Sequence, residues 1–239
     1  WLNGAYRWFY TRSAPNIKIA EDTAEDLGFE LEHAMMKVWR VYAYHRVTDL
    51  WGPIPYSNFG NLENDVPYDS QEDIYNDFFT TLDESVAVLK ANAGATSFLG
   101  NNDVLYGGDV DSWLKFANTL RLRLALRVKY VDAGKSQTEA EKAVADGVIE
   151  DNADNAAIAT STNFRNAYTT ITQWGEFRMS GDMESVLKGY QDPRIADYFA
   201  EATTPDPTDD PAGLTFNYEG MRNGQTKSDK QGIDFNSIA

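Results

Sequence analysis

Apolar residues recur at three- and four-residue steps through four stretches of the chain, and that spacing predicts four helices. The first runs from about Glu21 to Val47, with Leu27, Leu31, Ala34, Met35, Val38, Tyr42 and His45 on one side. It stops before "DLWGPIPY", where Gly52, Pro53 and Pro55 forbid both a continuing helix and a central strand. A rigid turn is expected there, with Trp51 and Tyr56 folded back on the helix. Ser70 followed by Asp73 resembles a capping box, and Ile74, Phe78, Leu82, Val86 and Leu89 make the stripe of a second helix that Gly94 ends. The third helix is expected from Asp111, read as its N-cap, to "DAGKS", where Gly134 suits a left-handed C-cap. Ser136 with Glu139 then caps a fourth, shorter helix reaching Gly147 or Ile149.

Beyond Asp151 the periodicity gives way to loops. "SGDMESVLKGYQDPRIADYFA" predicts one short helix up to Tyr190 and another begun by Asp192 as N-cap with Pro193 at its first position. From Thr203, "TTPDPTDDPAGLTFNYEG" reads as an extended surface loop. Four helices in two hairpin-like pairs predict a mainly α fold of tetratricopeptide-like antiparallel helix pairs with long irregular loops and little β, although no fixed sequence repeat accompanies them. One domain over 1–239 is expected, with a helical scaffold at 1–150 and a loop-rich part at 151–239. It begins at Trp1 and closes on "GIDFNSIA" without a terminating element, so a longer protein is expected on both sides.

The stretch "KFANTLRLRLALRVKYVD" in the third helix poses a physical problem. Trp113, Ala117, Leu120, Leu124, Val128 and Val131 share one face while Leu122 and Leu126 cover the opposite side, so both faces are expected to be packed. Arg121, Arg123 and Arg127 then lie among packed layers, where a guanidinium needs carboxylates or carbonyls for its donors. Asp49, Asp103, Asp109 and Asp192 are candidate partners, and the arginines are read as staples between loops and helical core.

Charge narrows the partners. Against 21 Lys and Arg stand 37 Asp and Glu, a formal net charge of −16 that repels phosphate backbones and anionic lipid surfaces, so nucleic acid is not expected as a partner. No cysteine is present for a thiolate metal site or nucleophile. His33 and His45 have no zinc spacing, and no GxSxG, GxGxxG or GxxxxGK[ST] motif occurs. The cluster "NNDVLYGGDVDSW" could be taken for a calcium loop, but it lacks an EF-hand's glycine and closing glutamate, and Asp111 is read as a helix cap first. No metal or cofactor is expected. Aromatic residues reach 13%, and aromatic faces beside short polar side chains are what sugar rings need.

Four segments now carry a resemblance. "KVWRVYAYHRVTDLWGPIPYSNF", "YDSQEDIYNDFFTTLDESVAVL" and "DVLYGGDVDSWLKFANTLRLRLALRV", followed by "MSGDMESVLKGYQDPRIADYF" with "YEGMRNG", stand in the order and spacing of the SusD/RagB family of Bacteroidetes outer-membrane nutrient-binding lipoproteins, which this chain resembles from about Met35 onward. The resemblance implies a helical fold without catalysis at the cell surface of the outer membrane. It implies a glycan or other nutrient as ligand, and a SusC-like TonB-dependent transporter as partner. The family's lipidated cysteine is absent here, so the lipid anchor is expected outside this chain.

Ligand contacts in that family lie on variable loops, which points to Tyr168, Trp174 and Phe177 with Asn163 and Arg178, and to Phe216 and Tyr218. For each of them, packing of a loop onto the helices is an equally open reading. Trp51, Trp113, Arg121, Arg123, Arg127, Asp109 and Asp111 are assigned to structure. Two alternatives stay beside the binding protein: a helical glycoside hydrolase using an Asp/Glu pair, and a helical-repeat scaffold that binds only protein.

Overall fold

Residues 2–20, for which the spacing predicts no element, are helical. In the computed structural model, which describes residues 2–61, 65–174, 178–202 and 216–224, α1 (Leu2–Trp8) passes through a π-helical turn (Phe9–Ser13) into α2 (Ala14–Asp26). Tyr6, Phe9 and Tyr10 pack on the core, with the Phe9 ring 4.9 Å edge-on from that of Tyr44. The single helix expected over 21–47 is in fact two. Gly28, at φ +69°, closes α2, with its N–H donating to the Glu25 carbonyl (3.0 Å) and that of Phe29 to Ala24 (2.9 Å). That left-handed closure interrupts an apolar period that continues across it. α3 (Glu30–Trp51) then runs four residues past the expected stop.

α4 (Gln71–Ala91) starts at Ser70, whose Oγ accepts from the Asp73 N–H (3.1 Å) while its hydroxyl donates to the Asp73 carboxylate (2.6 Å). α5 (Val110–Arg127) is capped by Asp109 and not Asp111: Asp109 is extended and accepts from the Ser112 N–H at 2.9 Å. Asp111 lies in the first turn and accepts from the Gly94 N–H (2.9 Å), tying down the preceding loop. α5 also ends sooner than expected, at Arg127, and after a turn Asp132 accepts from the Lys135 N–H (2.9 Å) and starts α6 (Ala133–Ala145). Gly134 and Ser136 lie inside α6 rather than at its ends.

The fold is mainly α, in tetratricopeptide-like antiparallel helix pairs with long loops. α3 packs on α2 and α4, and α5 on α4 and α6. Met35, Val38, Val41, Phe78, Leu82, Leu89, Ala117 and Leu124 fill the interior. Among the described residues, β pairing is limited to isolated bridges, such as Ile54 with Asp69.

The arginine helix resolves in three ways. Arg121 is fully buried; its Nε donates to Glu139 of α6 (2.7 Å), and Nη2 bonds Asp83 of α4. Arg127 meets Asp49 (2.8 Å) and Tyr75 but is half-exposed, and Arg123 is exposed, contrary to the expectation of packing on both sides. Leu126 is also largely open, so α5 is covered along one broad face only. Asp192 pairs instead with Arg194.

Two compact units divide the chain, 1–158 and 159–239. The second carries α7 (Ala167–Gln173), α8 (Gly181–Gly189) and α9 (Ile195–Tyr198). Ser180 caps α8 by accepting from the Met183 N–H (3.1 Å). α9 begins later than the Asp192 cap predicts. Asp192 accepts from the N–H and guanidinium of Arg194 across Pro193, and these bonds pull its carboxyl down to about 2.

Candidate ligand-binding site

The loop-borne residues singled out by the sequence fall in the second unit, and their local structure separates them into two kinds. The first kind, Asn163, Tyr168 and Trp174, is exposed. Ser161 closes a turn with Phe164 through two bonds, Ser161 N–H to the Phe164 carbonyl (2.8 Å) and Phe164 N–H to the Ser161 Oγ (3.0 Å). The Asn166 side chain accepts from the Tyr168 N–H (2.9 Å), starting α7. This places Asn163 in an exposed turn, Tyr168 on the first turn of α7 and Trp174 just beyond its end. Tyr168 is 62% exposed and Trp174 56%. Rings this large are ordinarily covered, so each offers a stacking face at some cost in hydrophobic exposure. Phe164, passed over in the sequence, is equally open, and its signal was an aromatic set between Asn163 and Arg165 in a polar stretch. Arg178 is partly buried. Phe177 lies outside the described residues.

Phe216 and Tyr218 are of the second kind. Their rings meet at 5.4 Å and pack against Met179, Leu187, Ile195 and Phe199, while the Lys188 ammonium lies 5.3 Å from the Phe216 centroid. They form one wall of a hollow of about 290 Å3 that Lys188 and Glu201 also line. The segment bearing them is held by Gly181 N–H to the Met221 carbonyl (2.8 Å), Met221 N–H to Met179 (2.7 Å) and Gly220 N–H to the Glu184 carboxylate (2.7 Å). A Cβ on Gly220 would sit 2.5 Å from the Ser180 oxygen, so only glycine permits this approach.

Among the described residues no group of His, Asp and Glu converges to hold an ion. The acidic loop that resembled a calcium site is closed on itself: Asp103 accepts from the N–H groups of Leu105 (3.0 Å), Tyr106 (3.3 Å) and Gly108 (2.9 Å) and from Trp113 Nε1 (2.7 Å). Trp113 is thereby buried and bonded, and Trp51 meets Tyr6 edge-on at 5.5 Å.

The chain matches the family described as SusD-like, Susd and RagB outer membrane lipoprotein, over residues 1–238. It is similar to a chitin-binding SusD homologue from Flavobacterium johnsoniae, with 41% identity and a TM-score of 0.80, over 94% of this chain and 47% of that one. A SusD homologue from Bacteroides vulgatus is 32% identical with a TM-score of 0.81, over 98% and 47%. A further structure, of a chitin-binding protein, is 30% identical with a TM-score of 0.82, over 98% and 51%. The chain spans about half the length of these structures. No curated protein sequence matches.

Proposed function

The chain belongs to the SusD-like (SusD and RagB) family of outer-membrane lipoproteins, and from that premise we propose that it binds a glycan at the cell surface, without catalysis, for delivery to a SusC-like TonB-dependent transporter. The observation that carries this reading is the pair of aromatic side chains, Tyr168 and Trp174, held more than half open to solvent at the two ends of α7. In this reading 1–150 acts as scaffold and the part from 151 presents the ligand groups, with the lipid anchor outside this chain. Among the described residues no helix is long and apolar enough to cross a membrane. The chitin-binding homologue at 41% identity supports β-linked N-acetylglucosamine polymers as the first ligand to try.

The test is affinity electrophoresis of the purified chain in gels containing a soluble chitin derivative and a panel of other soluble polysaccharides, with reducing ends assayed on the same samples. Retardation by a glycan without new reducing ends is the expected result. Release of reducing ends, abolished by replacing a single Asp or Glu, would overturn the non-catalytic reading. Unaltered migration in every glycan would overturn carbohydrate binding.

A further inference from the structure

The helical unit carries a hollow of about 760 Å3 that the proposed ligand loops do not use. It lies between the end of α3, the first turns of α4 and the corner joining α5 to α6, and its size is that of ordinary small-molecule sites. The geometry points to a second carbohydrate-binding site in this hollow, taking a short run of uncharged sugar rings on the exposed ring of Tyr130. The inference rests on the reading of the protein as a glycan binder.

Three features of the hollow select that ligand. The first is its apolar surface. Tyr130 is 94% exposed and Val131 86%, and they open with Leu126 onto a hollow whose inner side is formed by the well-buried Tyr75 and Phe79. One exposed apolar side chain is unremarkable on a protein surface, but three within six residues opening onto one concavity mark a place for a ligand. The Lys129 ammonium lies 5.7 Å from the Tyr130 centroid, which leaves the opposite face of the ring for the C–H side of a sugar.

The second feature is a set of polar groups fixed beforehand. The Tyr75 hydroxyl donates to Asp49 Oδ1 (2.6 Å), and Arg127 Nε donates to the Tyr75 oxygen (3.2 Å) while lying 2.8 Å from Asp49 Oδ2. This triangle orients a half-exposed guanidinium and leaves its terminal nitrogens as donors. The Lys135 ammonium bonds Asn76 Oδ1 and sits 5.3 Å from the Phe79 centroid, so the Asn76 side-chain Nδ2 also remains a donor. Exposed Glu72 adds an acceptor. Groups ordered in the free protein bind with less loss of freedom.

The third feature is charge. Asp49, Glu72 and Asp132 face Arg127 and Lys135, with Lys129 beside Tyr130, three negative groups against three positive, and Asp49 is already paired. That balance favours neither an anion nor a cation, whereas a neutral ring with hydroxyl edges can use donors and acceptors alike.

The test is amide hydrogen exchange of the full chain with chitohexaose, maltohexaose and cellohexaose in turn, on the wild type, Tyr130→Ala and Trp174→Ala. At ten times its dissociation constant a ligand slows exchange at its site by about tenfold, so slowing of that order is expected over 126–135 with at least one sugar. Tyr130→Ala, at an unchanged melting temperature, should abolish it there while any slowing over 163–174 survives; Trp174→Ala should do the reverse. Slowing confined to 163–174, or slowing over 126–135 that Tyr130→Ala leaves intact, would overturn the second site alone. No slowing in either segment with any sugar would overturn the second site and the glycan-binding reading together.

Discussion

Arg121 is the most deeply placed charge in the described structure, and its surroundings decide what its loss does. Glu139 is nearly buried, whereas Asp83 is 40% exposed and also meets Lys142. Replacing Arg121 by Leu therefore strands Glu139 far more than Asp83. Arg121→Leu should cost about 3 kcal/mol in urea unfolding, and the double variant with Glu139→Leu should recover part of it. Sequence spacing exposed the anomaly of an arginine in an apolar run but not its partners, because Asp83 and Glu139 arrive from other helices in a register that no local pattern encodes. They join helix to helix, where the sequence suggested loop to core. His45 gives a second outcome at this scale. Burial lowers its pKa, Asp49 opposes that shift and the Arg123 charge adds to it. The imidazole is thus neutral in the fold and takes up a proton more readily once unfolded, so its contribution to stability is present above about pH 6.5 and is lost as pH falls below it. The urea midpoint should drop between pH 7.5 and pH 5, and His45→Leu should narrow the drop.

Elements were legible where caps and apolar stripes agreed, as at Ser70 for α4, and misplaced where two short polar residues competed. Asp109 and Asp111 both suit a cap, and only the extended backbone at Asp109 separates them. Asp109→Ala should cost about 1 kcal/mol, the usual loss of a cap. Asp103→Ala should cost more, since four N–H donors lose one carboxylate together; paired thermal melts of the two variants would show the order. Similarly, Asp132 displaced Gly134 and Ser136 because its side chain reaches the Lys135 N–H before either can act. At α2 and α3 the apolar period ran unbroken through Gly28, and periodicity alone carries no information about a left-handed residue.

Across the whole molecule, the helix pairs could be read from spacing, but which aromatic side chains stand open to a ligand could not. Tyr168, Trp174, Phe216 and Tyr218 look alike in the sequence, yet two stand in solvent and two brace α8 and α9. Trp174→Ala should therefore weaken retention by a bound glycan roughly tenfold, about 1.4 kcal/mol, with melting unchanged, whereas Phe216→Ala should lower the melting temperature first. Helical-repeat chains commonly come apart piecemeal, because each repeat touches only its neighbours. In unit 1 the Arg121 cluster joins α4 of one hairpin to α5 and α6 of the next. That junction makes the separate loss of either hairpin unfavourable, so helical signal and tryptophan fluorescence of the scaffold should vanish in a single step with coincident midpoints.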